Sequence, residues 1–511
     1  MGSLRAGLVL RNADVLTLDA RFPCARTVYI RNNHILKTSL SDIESHLTGP
    51  QTIVIDCRGK AVMPAFHDAH CHIPAYAEAL ANIDISPASA KSIEDIINIV
   101  KQAASRTPAG EWIRCAGYNE FYLAEKRHPL KQDLDRATLS HPVKLTHRSG
   151  HAHVLNTPAL RLVGIGIEIE EPEGALIERD LESGEPSGLL YGMGPYLSQK
   201  IPPLNGRELD AAIGWASNTL LSLGITSVQD ASPGNNYERW QQFAGWKRRG
   251  LFKPRTTFMP GVAAIDHLRD LPPTEELSMG PVKVVLDEVR GNLNPPQTEI
   301  NRLLLQIHGA GMQAAFHAVE EPVIEAVINA LEYALESHPR PDHRHRVEHC
   351  SICTPAFATR LAALGAVVVT NPTFIYYSGE RYLSEVSPAQ FQHLYALNTM
   401  LKSGLKIAAG SDSPVAPPNP FKAIYAAVTR RAETGQEVLP AQSISIMDAL
   451  RLYTAGAAYS CFREKDLGTI TAGKYADLIV LNADPLKVEP EALKDIKVEM
   501  TLLNGEIAYA V

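Results

Sequence analysis

Short apolar runs alternate with helical patterns from about residue 61 to residue 412, and this alternation limits the fold more than any other feature of the chain. Each run has the length of a strand, and strands that alternate with helices form parallel βα units. Eight such units predict a (β/α)₈ TIM barrel. The candidate strands are AVMPAF before His67, TSVQDA (226–231), RTTFMP (255–260), VKVVLD (282–287), QAAFHA (313–318), HRVEHC (345–350), AVVVTN (366–371) and KIAAGSD (406–412).

Two of the intervening helices are marked by their residues. Thr354-Pro355 opens a helix directly after the sixth strand, with Thr354 as the capping residue and Pro355 in the first turn. Before the fifth strand, Thr298 is placed to cap a helix that Gly309 can end. The apolar residues of that helix follow the i, i+3, i+4, i+7 spacing of one helix face: Ile300, Leu303, Leu304 and Ile307.

Both ends of the chain depart from this central pattern. They contain short alternating runs of the kind that form antiparallel strands, and Asn504-Gly505 is a good hairpin turn. We expect residues 1–60 and 463–511 to build one β-sandwich. The runs on which this rests are residues 8–15, 27–30, 52–56, 475–485 and 498–510.

Residues 73–203 form a segment too long for a single βα loop. The segment contains strand-like runs of its own, WIRCAGY at 112–118 and VKLTHR at 143–148. We expect an inserted subdomain that lies over the top of the barrel as a lid. The barrel then occupies residues 61–72 and 204–462, and the predicted fold class is α/β.

Charge and hydropathy exclude several classes of partner. The chain has 511 residues and a net charge of −7 with its basic residues scattered, so it lacks the basic stripe that binds nucleic acid or an anionic membrane. Its longest apolar runs are far shorter than the ~20 residues that cross a bilayer, and Arg5 interrupts the apolar start that a signal peptide needs. We expect a cytoplasmic protein with a small-molecule substrate. The sequence is compatible with a homodimer.

The cysteines do not suggest a disulfide framework. Seven of them are spread over the whole length, an odd number that suits reduced thiols in a large cytosolic protein. Cys350 and Cys353 form a single C-x-x-C pair. Without a second such pair, this motif is weak support for a zinc ribbon or a redox function.

The run MPAFHDAHCH carries the strongest chemical signal. His70 and His72 are two residues apart at the end of the first strand, so their imidazoles point to the same side of an extended chain. His317 ends the fifth predicted strand, His349 ends the sixth and Asp412 ends the eighth. The carboxyl ends of barrel strands meet at one rim, where such enzymes place their chemistry. The sequence therefore predicts a metal site at this rim.

The donor types limit the choice of metal but do not select one ion. Imidazole and carboxylate suit Zn²⁺, and also Mn²⁺, Fe²⁺ or Co²⁺, because selectivity among these ions depends on geometry and supply. Lys283 lies in the fourth strand between apolar neighbours, where a buried ammonium is costly unless it is paired or modified. Either Lys283 takes part in the chemistry, or it forms a structural ion pair with Asp287.

These residues resemble the amidohydrolase superfamily. The resemblance runs almost from end to end and includes MPAFHDAHCH, RHRVEHC, AAGSDSPV followed by NPFKAIYAAVTRR, and the tail LGTITAGKYADLIVL. Within the superfamily, HRSGHAHVLNTPAL and GLLYGM are similar to the amidohydrolase-3 branch, which includes N-substituted formamide deformylases. The resemblance thus extends through both the barrel and the predicted insert.

The resemblance implies a set of ligands and a reaction. In the superfamily an H-x-H on strand one, a carbamylated lysine on strand four, histidines on strands five and six and an aspartate on strand eight hold one or two divalent metals, here expected to be Zn²⁺. The implied reaction is hydrolysis of an amide or formamide bond by a metal-activated hydroxide, with Asp412 as the proton shuttle. The residues that match this set are His70, His72, Lys283, His317, His349 and Asp412.

The chain departs from the branch pattern at three places where substrate is expected to bind. Asp287 is followed by Glu288 and not by glycine, and Glu320-Glu321 stands where branch members have Gly-Asp. Branch members commonly have an acidic residue two positions before the place held by Met193, whereas this chain has Tyr191 there, followed by Gly192. His151 in the insert is predicted to contact substrate, and aromatic residues are candidates for lining its pocket: Tyr118, Tyr122, Phe374, Tyr376 and Tyr377.

Two other functions remain open at this stage. A single-metal deaminase of an aminated heterocycle would place a catalytic glutamate shortly after the strand-five histidine, where Glu320 and Glu321 lie. A catalytically silent metal-binding protein would keep the ligands and lose turnover, although the retained Asp412 argues against it. The number of bound metals and the chemical state of Lys283 discriminate between the first alternative and an amide hydrolase.

Overall fold

A computed structural model of the protein describes residues 5–172, 174–289 and 292–511, apart from the side chains of residues 288, 289 and 292. Within these limits the chain divides into two compact units. The first contains residues 1–73 and 217–511, and the second contains residues 74–216. The second unit extends past the predicted boundary near Pro203, because the long helix Gly206–Ser222 begins in it.

The chain ends form two sheets of the first unit. They face each other across one apolar cluster that includes Leu10 and Ile30 from one sheet and Val62 and Leu478 from the other. Burial of these alternating residues stabilises the sandwich by about 25 cal/mol per Å² of apolar surface. In spatial order, one sheet contains His34–Ser39, Thr27–Arg31, Leu8–Arg11 and Ile53–Asp56, and the other Glu506–Ala510, Val498–Leu503, Leu478–Leu481, Ala61–Pro64, Asp14–Leu16 and Cys24–Ala25.

Two parallel sheets carry nine further strands of this unit: the eight predicted between residues 61 and 412, numbered one to eight in chain order, and the short strand Leu277–Met279, which was not predicted. All neighbours within each sheet run parallel, as alternating strands and helices require. In spatial order, one contains Leu277–Met279, Arg255–Phe258, Ile225–Asp230 and Phe66–Cys71, and the other Val282–Val285, Ala314–Ala318, Arg346–His349, Val367–Thr370 and Lys406–Ala409.

The predicted first strand AVMPAF is divided between two sheets. Ala61–Pro64 pairs with Leu478–Leu481 in the sandwich, and the parallel strand begins only at Phe66. The change of partner occurs where Ala65 N donates to Asp477 O at 3.0 Å and Phe66 N donates to Gly224 O at 2.9 Å. Pro64 has no N–H to donate, so it suits the last position of a strand that is about to leave its sheet.

Hydrogen bonds connect the two parallel sheets at both edges of the five-stranded sheet. Lys283 N donates to Pro260 O at 2.8 Å, next to an isolated parallel bridge between Lys283 and Gly261. At the other edge, Asp412 N donates to His70 O at 2.7 Å. The eighth strand therefore approaches the first at the level of the predicted metal ligands.

Helices follow the parallel strands. Thr354 caps Pro355–Ala363 as predicted, because its side chain accepts a hydrogen bond from Phe357 N at 3.2 Å. The prediction for Thr298 is wrong, since Gln297–Gly309 starts before it with no side-chain cap. The other helices of the first unit are Tyr237–Arg248, Ile265–Leu268, Glu321–Ser337, Pro372–Glu385, Pro388–Phe391, Leu397–Lys402, Pro420–Thr429, Ile446–Leu452 and Ala455–Tyr459.

The second unit has its own sheet and its own core. Its cluster of buried residues joins the helix Ile93–Ala104 to one face of the sheet, through Ile97, Val100, Leu145 and Val154. The strands in spatial order are Leu176–Arg179, Pro186–Tyr191, Ala152–Leu155, Val143–His147, Ile113–Tyr118 and Ile83–Asp84, and the other helices are Ile73–Ala81, Lys131–Asp135, Thr157–Val163 and Gly194–Lys200.

The chain also contains short strands and 3₁₀ segments outside these sheets. Asp287–Val289 and Asn292–Asn294 form a two-stranded antiparallel pair after the fourth parallel strand. The 3₁₀ segments are Ser45–Leu47, Glu120–Tyr122, Val262–Ala264, Pro440–Gln442 and Pro490–Asp495. None of the helices in the described part of the chain is long and apolar enough to cross a membrane. All seven cysteines are free thiols.

Candidate metal centre

Three of the predicted ligands converge at the carboxyl ends of the first and eighth parallel strands. His72 Nε2 lies 3.0 Å from Asp412 Oδ1, and His70 Nε2 lies 3.5 Å from the same oxygen. One donor atom from each residue lies within 4.8 Å of the others, a spacing at which one metal ion can bind all three. His70 and Asp412 are buried and His72 is partly exposed, so the group opens to solvent on the side of His72.

Asp412 reaches His70 because the turn after the eighth strand is tightly packed. A Cβ on Gly410 would lie 2.5 Å from His70 N, so only glycine allows this approach. Asp412 itself adopts a left-handed conformation, with φ of 58°. Asp68 ties the two strands together, since its carboxylate accepts hydrogen bonds from Ser411 N at 2.9 Å and Ser411 Oγ at 2.6 Å.

The histidines of strands five and six adjoin this group. The ring centroid of His349 is 4.8 Å from that of His70 and 4.7 Å from that of His317. Ala318 pairs with His349 in the parallel register that joins the fifth and sixth strands. The four imidazoles predicted from the sequence thus form one continuous cluster, in which donor atoms of His70, His72 and Asp412 lie within 4.8 Å of one another.

The hydrogen bonds of two rings leave their Nε2 atoms available. His70 Nδ1 contacts the Glu348 carboxylate, and a carboxylate can only accept, so the ring proton lies on Nδ1. His349 Nδ1 likewise lies 2.7 Å from Asn371 Oδ1. His70 Nε2 is buried and forms no hydrogen bond among the described residues. An unprotonated buried nitrogen with no hydrogen-bond partner fits a metal ligand.

Electrostatics in the cluster favour neutral His70 and His349 and an ionised Asp412. Burial, followed by the charge of Lys283, lowers the pKa of His70 well below its ordinary value. Burial raises the pKa of Asp412, but the hydrogen bond with His72 and electrostatic interactions with the neighbouring imidazoles outweigh it and hold that pKa well below its usual range. Neutral imidazole and ionised carboxylate are the forms that bind a metal cation.

Lys283 lies in the same cluster and is 3% exposed. Burial lowers the pKa of its ammonium, while the charges of Glu348 and Asp412 oppose that shift. The predicted alternative, an ion pair with Asp287, is not formed, because Asp287 is exposed and belongs to the antiparallel pair that follows the strand. Among the described residues, the carboxylates that act on Lys283 are those of the metal cluster.

The predicted substrate contacts fall in both units. In the second unit His151 is exposed, whereas Tyr118 is buried with its hydroxyl 2.9 Å from His128 Nδ1. Tyr122 packs edge-on against Phe121 at 5.2 Å. In the first unit the Phe374 ring stacks parallel to His349 with centroids 6.5 Å apart, and Tyr377 packs against Tyr376 at 4.8 Å. Phe374 thus lies next to a proposed metal ligand.

Sequence reasoning missed the residues that orient the cluster. Glu348 and Asn371 hold His70 and His349, and Asp68 joins the first strand to the loop of Asp412. A weak signal existed in each case: Glu348 immediately precedes His349, Asn371 ends the seventh predicted strand and Asp68 lies within MPAFHDAHCH. The departure at Glu288 concerns a side chain outside the described residues, and Glu320-Glu321 lies at the start of the helix Glu321–Ser337.

Known proteins are similar to this chain in sequence and in fold. The family model Amidohydro_3, described as the amidohydrolase family, matches residues 53–509. An N-substituted formamide deformylase of Arthrobacter pascens is 28% identical, with 98% of each chain covered. A putative amidohydrolase of Bacillus subtilis is 27% identical over 94% of this chain and 95% of its own. An uncharacterised metal-dependent hydrolase of Pyrococcus furiosus has the same fold, with a TM-score of 0.72, 24% identity and coverage of 94% of this chain and 100% of its own.

The chain is a mixed α/β protein with histidines and an aspartate gathered at the ends of parallel strands, and it shares its fold with the Pyrococcus furiosus protein. The chain belongs to the amidohydrolase family, which confirms the resemblance seen in its sequence. It is a hydrolase that acts on carbon–nitrogen bonds.

Proposed function

We propose that the enzyme hydrolyses an amide or formamide bond of a small molecule. The observation that carries this proposal is the convergence of His70, His72 and Asp412, with His70 Nε2 buried and without a hydrogen-bond partner among the described residues. Similarity over 98% of the chain to an N-substituted formamide deformylase supports the formamide class.

The architecture that we propose for catalysis is one closed barrel. The backbone hydrogen bonds at Lys283 and at Asp412 support the union of the two parallel sheets into a single (β/α)₈ structure. Its catalytic rim would then hold the carboxyl ends of all eight strands, as in other enzymes of this architecture. The terminal sandwich and the inserted unit would be additions to that barrel.

We propose a ligand set that is larger than the three convergent residues. It would hold one or two divalent metals, and Zn²⁺ suits its donors. When bound, the metal supplies Lewis-acid activation of water and polarisation of the substrate carbonyl. Asp412 takes the proton of the attacking water and passes it to the leaving nitrogen, so it acts first as a base and then as an acid. The full set is His70, His72, carbamylated Lys283, His317, His349 and Asp412.

A substrate screen tests the proposed reaction. The metal-loaded enzyme is incubated with N-formyl amines, N-acyl amino acids, cyclic amides and aminated heterocycles, and the released amine, acid and ammonia are quantified. We expect amine and acid in equal amounts from a member of the first three groups. Turnover confined to the heterocycles, with release of ammonia alone, would establish the deaminase, and bound metal without any turnover would establish the silent binding protein.

Lys283→Ala is expected to lose bound metal and activity. Burial lowers the pKa of Lys283, which favours reaction of its amine with CO₂ to give a carbamate and a released proton, and this carbamate would be an anionic ligand for the metal. Short-chain carboxylic acids can occupy the space left by the truncated side chain, so added propionate should restore part of the activity. Metal content and kcat are measured with and without the acid.

The control for this variant is Lys247→Ala. Lys247 is a partly buried lysine whose Nζ donates to the carbonyl of Pro254, away from the cluster. This variant should keep its metal and should show no response to propionate. Full activity in Lys283→Ala would instead favour the single-metal deaminase.

His151→Ala is expected to raise KM without changing the metal content. The proposed role is a hydrogen bond from the exposed His151 ring to a polar group of the substrate. Such a bond contributes about 0.5–1.5 kcal/mol, which corresponds to a rise in KM of about two- to tenfold. Steady-state kinetics on several substrates measure the change, with the exposed His46→Ala as the control variant. Identical substrate ranking and KM in His151→Ala and the wild type would remove this role.

A further inference from the structure

Glu348 occupies a buried position behind the proposed metal ligands. It lies in the sixth parallel strand, Arg346–His349, and its side chain is fully buried. Glu348 Oε2 contacts His70 Nδ1, and both oxygens contact the guanidinium of Arg346. A buried carboxylate between an arginine and a histidine is retained only where its hydrogen bonds are well satisfied.

The geometry of these bonds requires a carboxylate. Arg346 Nε donates to Glu348 Oε1 at 2.7 Å, and Arg346 Nη2 donates to Oε2 at 2.9 Å. Oε2 also accepts from His70 Nδ1, so this oxygen serves two donors. A glutamine in the same place has one oxygen and one NH₂ group, and either orientation directs the NH₂ at a donor. Only an ionised glutamate satisfies all three bonds.

His349 provides an internal comparison. Its Nδ1 is held by Asn371 Oδ1 at 2.7 Å, and Asn371 Nδ2 in turn donates to Gly410 O at 2.9 Å. This second ring therefore has a neutral partner, whereas His70 has an anionic one. A carboxylate on the far nitrogen increases the basicity of an imidazole ligand more than an amide does.

We propose that Glu348 is a positioning residue that holds His70 in the Nδ1–H tautomer and makes it the stronger of these two imidazole ligands. Arg346 serves this arrangement by neutralising Glu348 in the protein interior and keeping both of its oxygens in place. The proposal rests on the proposed function, because it assumes that His70 binds a metal. Glu348 would thus influence metal affinity through His70, although it is not itself a ligand.

The main test is the affinity of Glu348→Gln for Zn²⁺. Loss of such a carboxylate partner weakens metal binding by about 10- to 100-fold, and we expect a dissociation constant raised by that factor in a competition titration with a chromophoric chelator. Asp477→Asn is the matched control. Asp477 is a buried carboxylate that accepts a hydrogen bond from Arg255 Nε at 2.9 Å, so its loss also removes a buried ion pair. The control should bind Zn²⁺ as the wild type does, even if its melting temperature falls.

A second measurement does not depend on the stability of the variant. Long-range ¹H–¹⁵N correlation spectra of the metal-free wild type identify which ring nitrogen of each histidine is protonated, and His70→Ala assigns the signals of His70. We expect the Nδ1–H form for His70 in the wild type. In Glu348→Gln, where the amide can direct its NH₂ at the ring, we expect a substantial fraction of the Nε2–H form.

The outcomes separate this proposal from the proposed function. If the wild type binds Zn²⁺ no better than His70→Ala, the metal site itself is refuted. If the wild type binds Zn²⁺ and His70→Ala does not, an unchanged affinity in folded Glu348→Gln overturns the role of Glu348 alone. An Nε2–H tautomer of His70 in the wild-type protein overturns that role as well, whatever the behaviour of the variant.

Discussion

The double variant His70→Ala, His72→Ala is expected to contain no bound metal and to show no measurable turnover. The two imidazoles contribute two of the three donor atoms that converge within 4.8 Å, so their loss leaves Asp412 as the only member of that convergent group. Elemental analysis after dialysis against metal-free buffer should find one to two equivalents in the wild type and only background in the variant. Turnover should disappear in parallel, because the activated water is lost with the metal.

A second pair of histidines supplies the control for this experiment. His343 and His345 have the same i, i+2 spacing and are also buried, but they precede the sixth parallel strand, whereas His349 ends it. Their nitrogens are held by backbone and by His308, with His343 Nε2 2.7 Å from Leu364 O and His345 Nε2 2.8 Å from His308 Nδ1. His343→Ala, His345→Ala should lose stability and keep its metal. Equal metal content in both double variants and the wild type would refute the metal centre.

Asp412→Asn is expected to reduce kcat by about 10²-fold or more, the range for loss of general acid–base catalysis. Asparagine has the shape of aspartate and can still present an oxygen to His72 Nε2, but it cannot take a proton from water at neutral pH. KM should change far less than kcat, since the affected step is chemical. Because Asp412 is also a proposed ligand, metal content is measured on the same samples, and excess metal is added where occupancy falls.

Comparison with Asp477→Asn, which also removes a buried carboxylate, accounts for any general loss of stability. That variant should keep a normal kcat, because Asp477 pairs with Arg255 and is not part of the metal cluster. A metal-replete Asp412→Asn enzyme with a kcat near that of the wild type would show that another group moves the proton. The role assigned to Asp412 would then be limited to binding metal.

The parallel strands could be predicted because their signal is local. Runs such as VKVVLD and AVVVTN have the length and β-branched composition of buried strands, and the structure places Val282–Val285 and Val367–Thr370 within them. The error at AVMPAF has a different origin. That run is a strand by its composition, but its division between two sheets depends on Leu478–Leu481, a partner more than four hundred residues later.

The sequence by itself determined which donors stand at the carboxyl ends of the strands, among them His70, His349 and Asp412, because strand period and βα order are properties of nearby residues. Only the tertiary structure decided how these donors are oriented. Glu348 is 278 residues from His70, and Asp412 reaches His72 across 340 residues. No local pattern encodes such contacts, since hydrogen-bond partners and pKa shifts depend on which buried groups the closed fold brings within a few ångströms of each other.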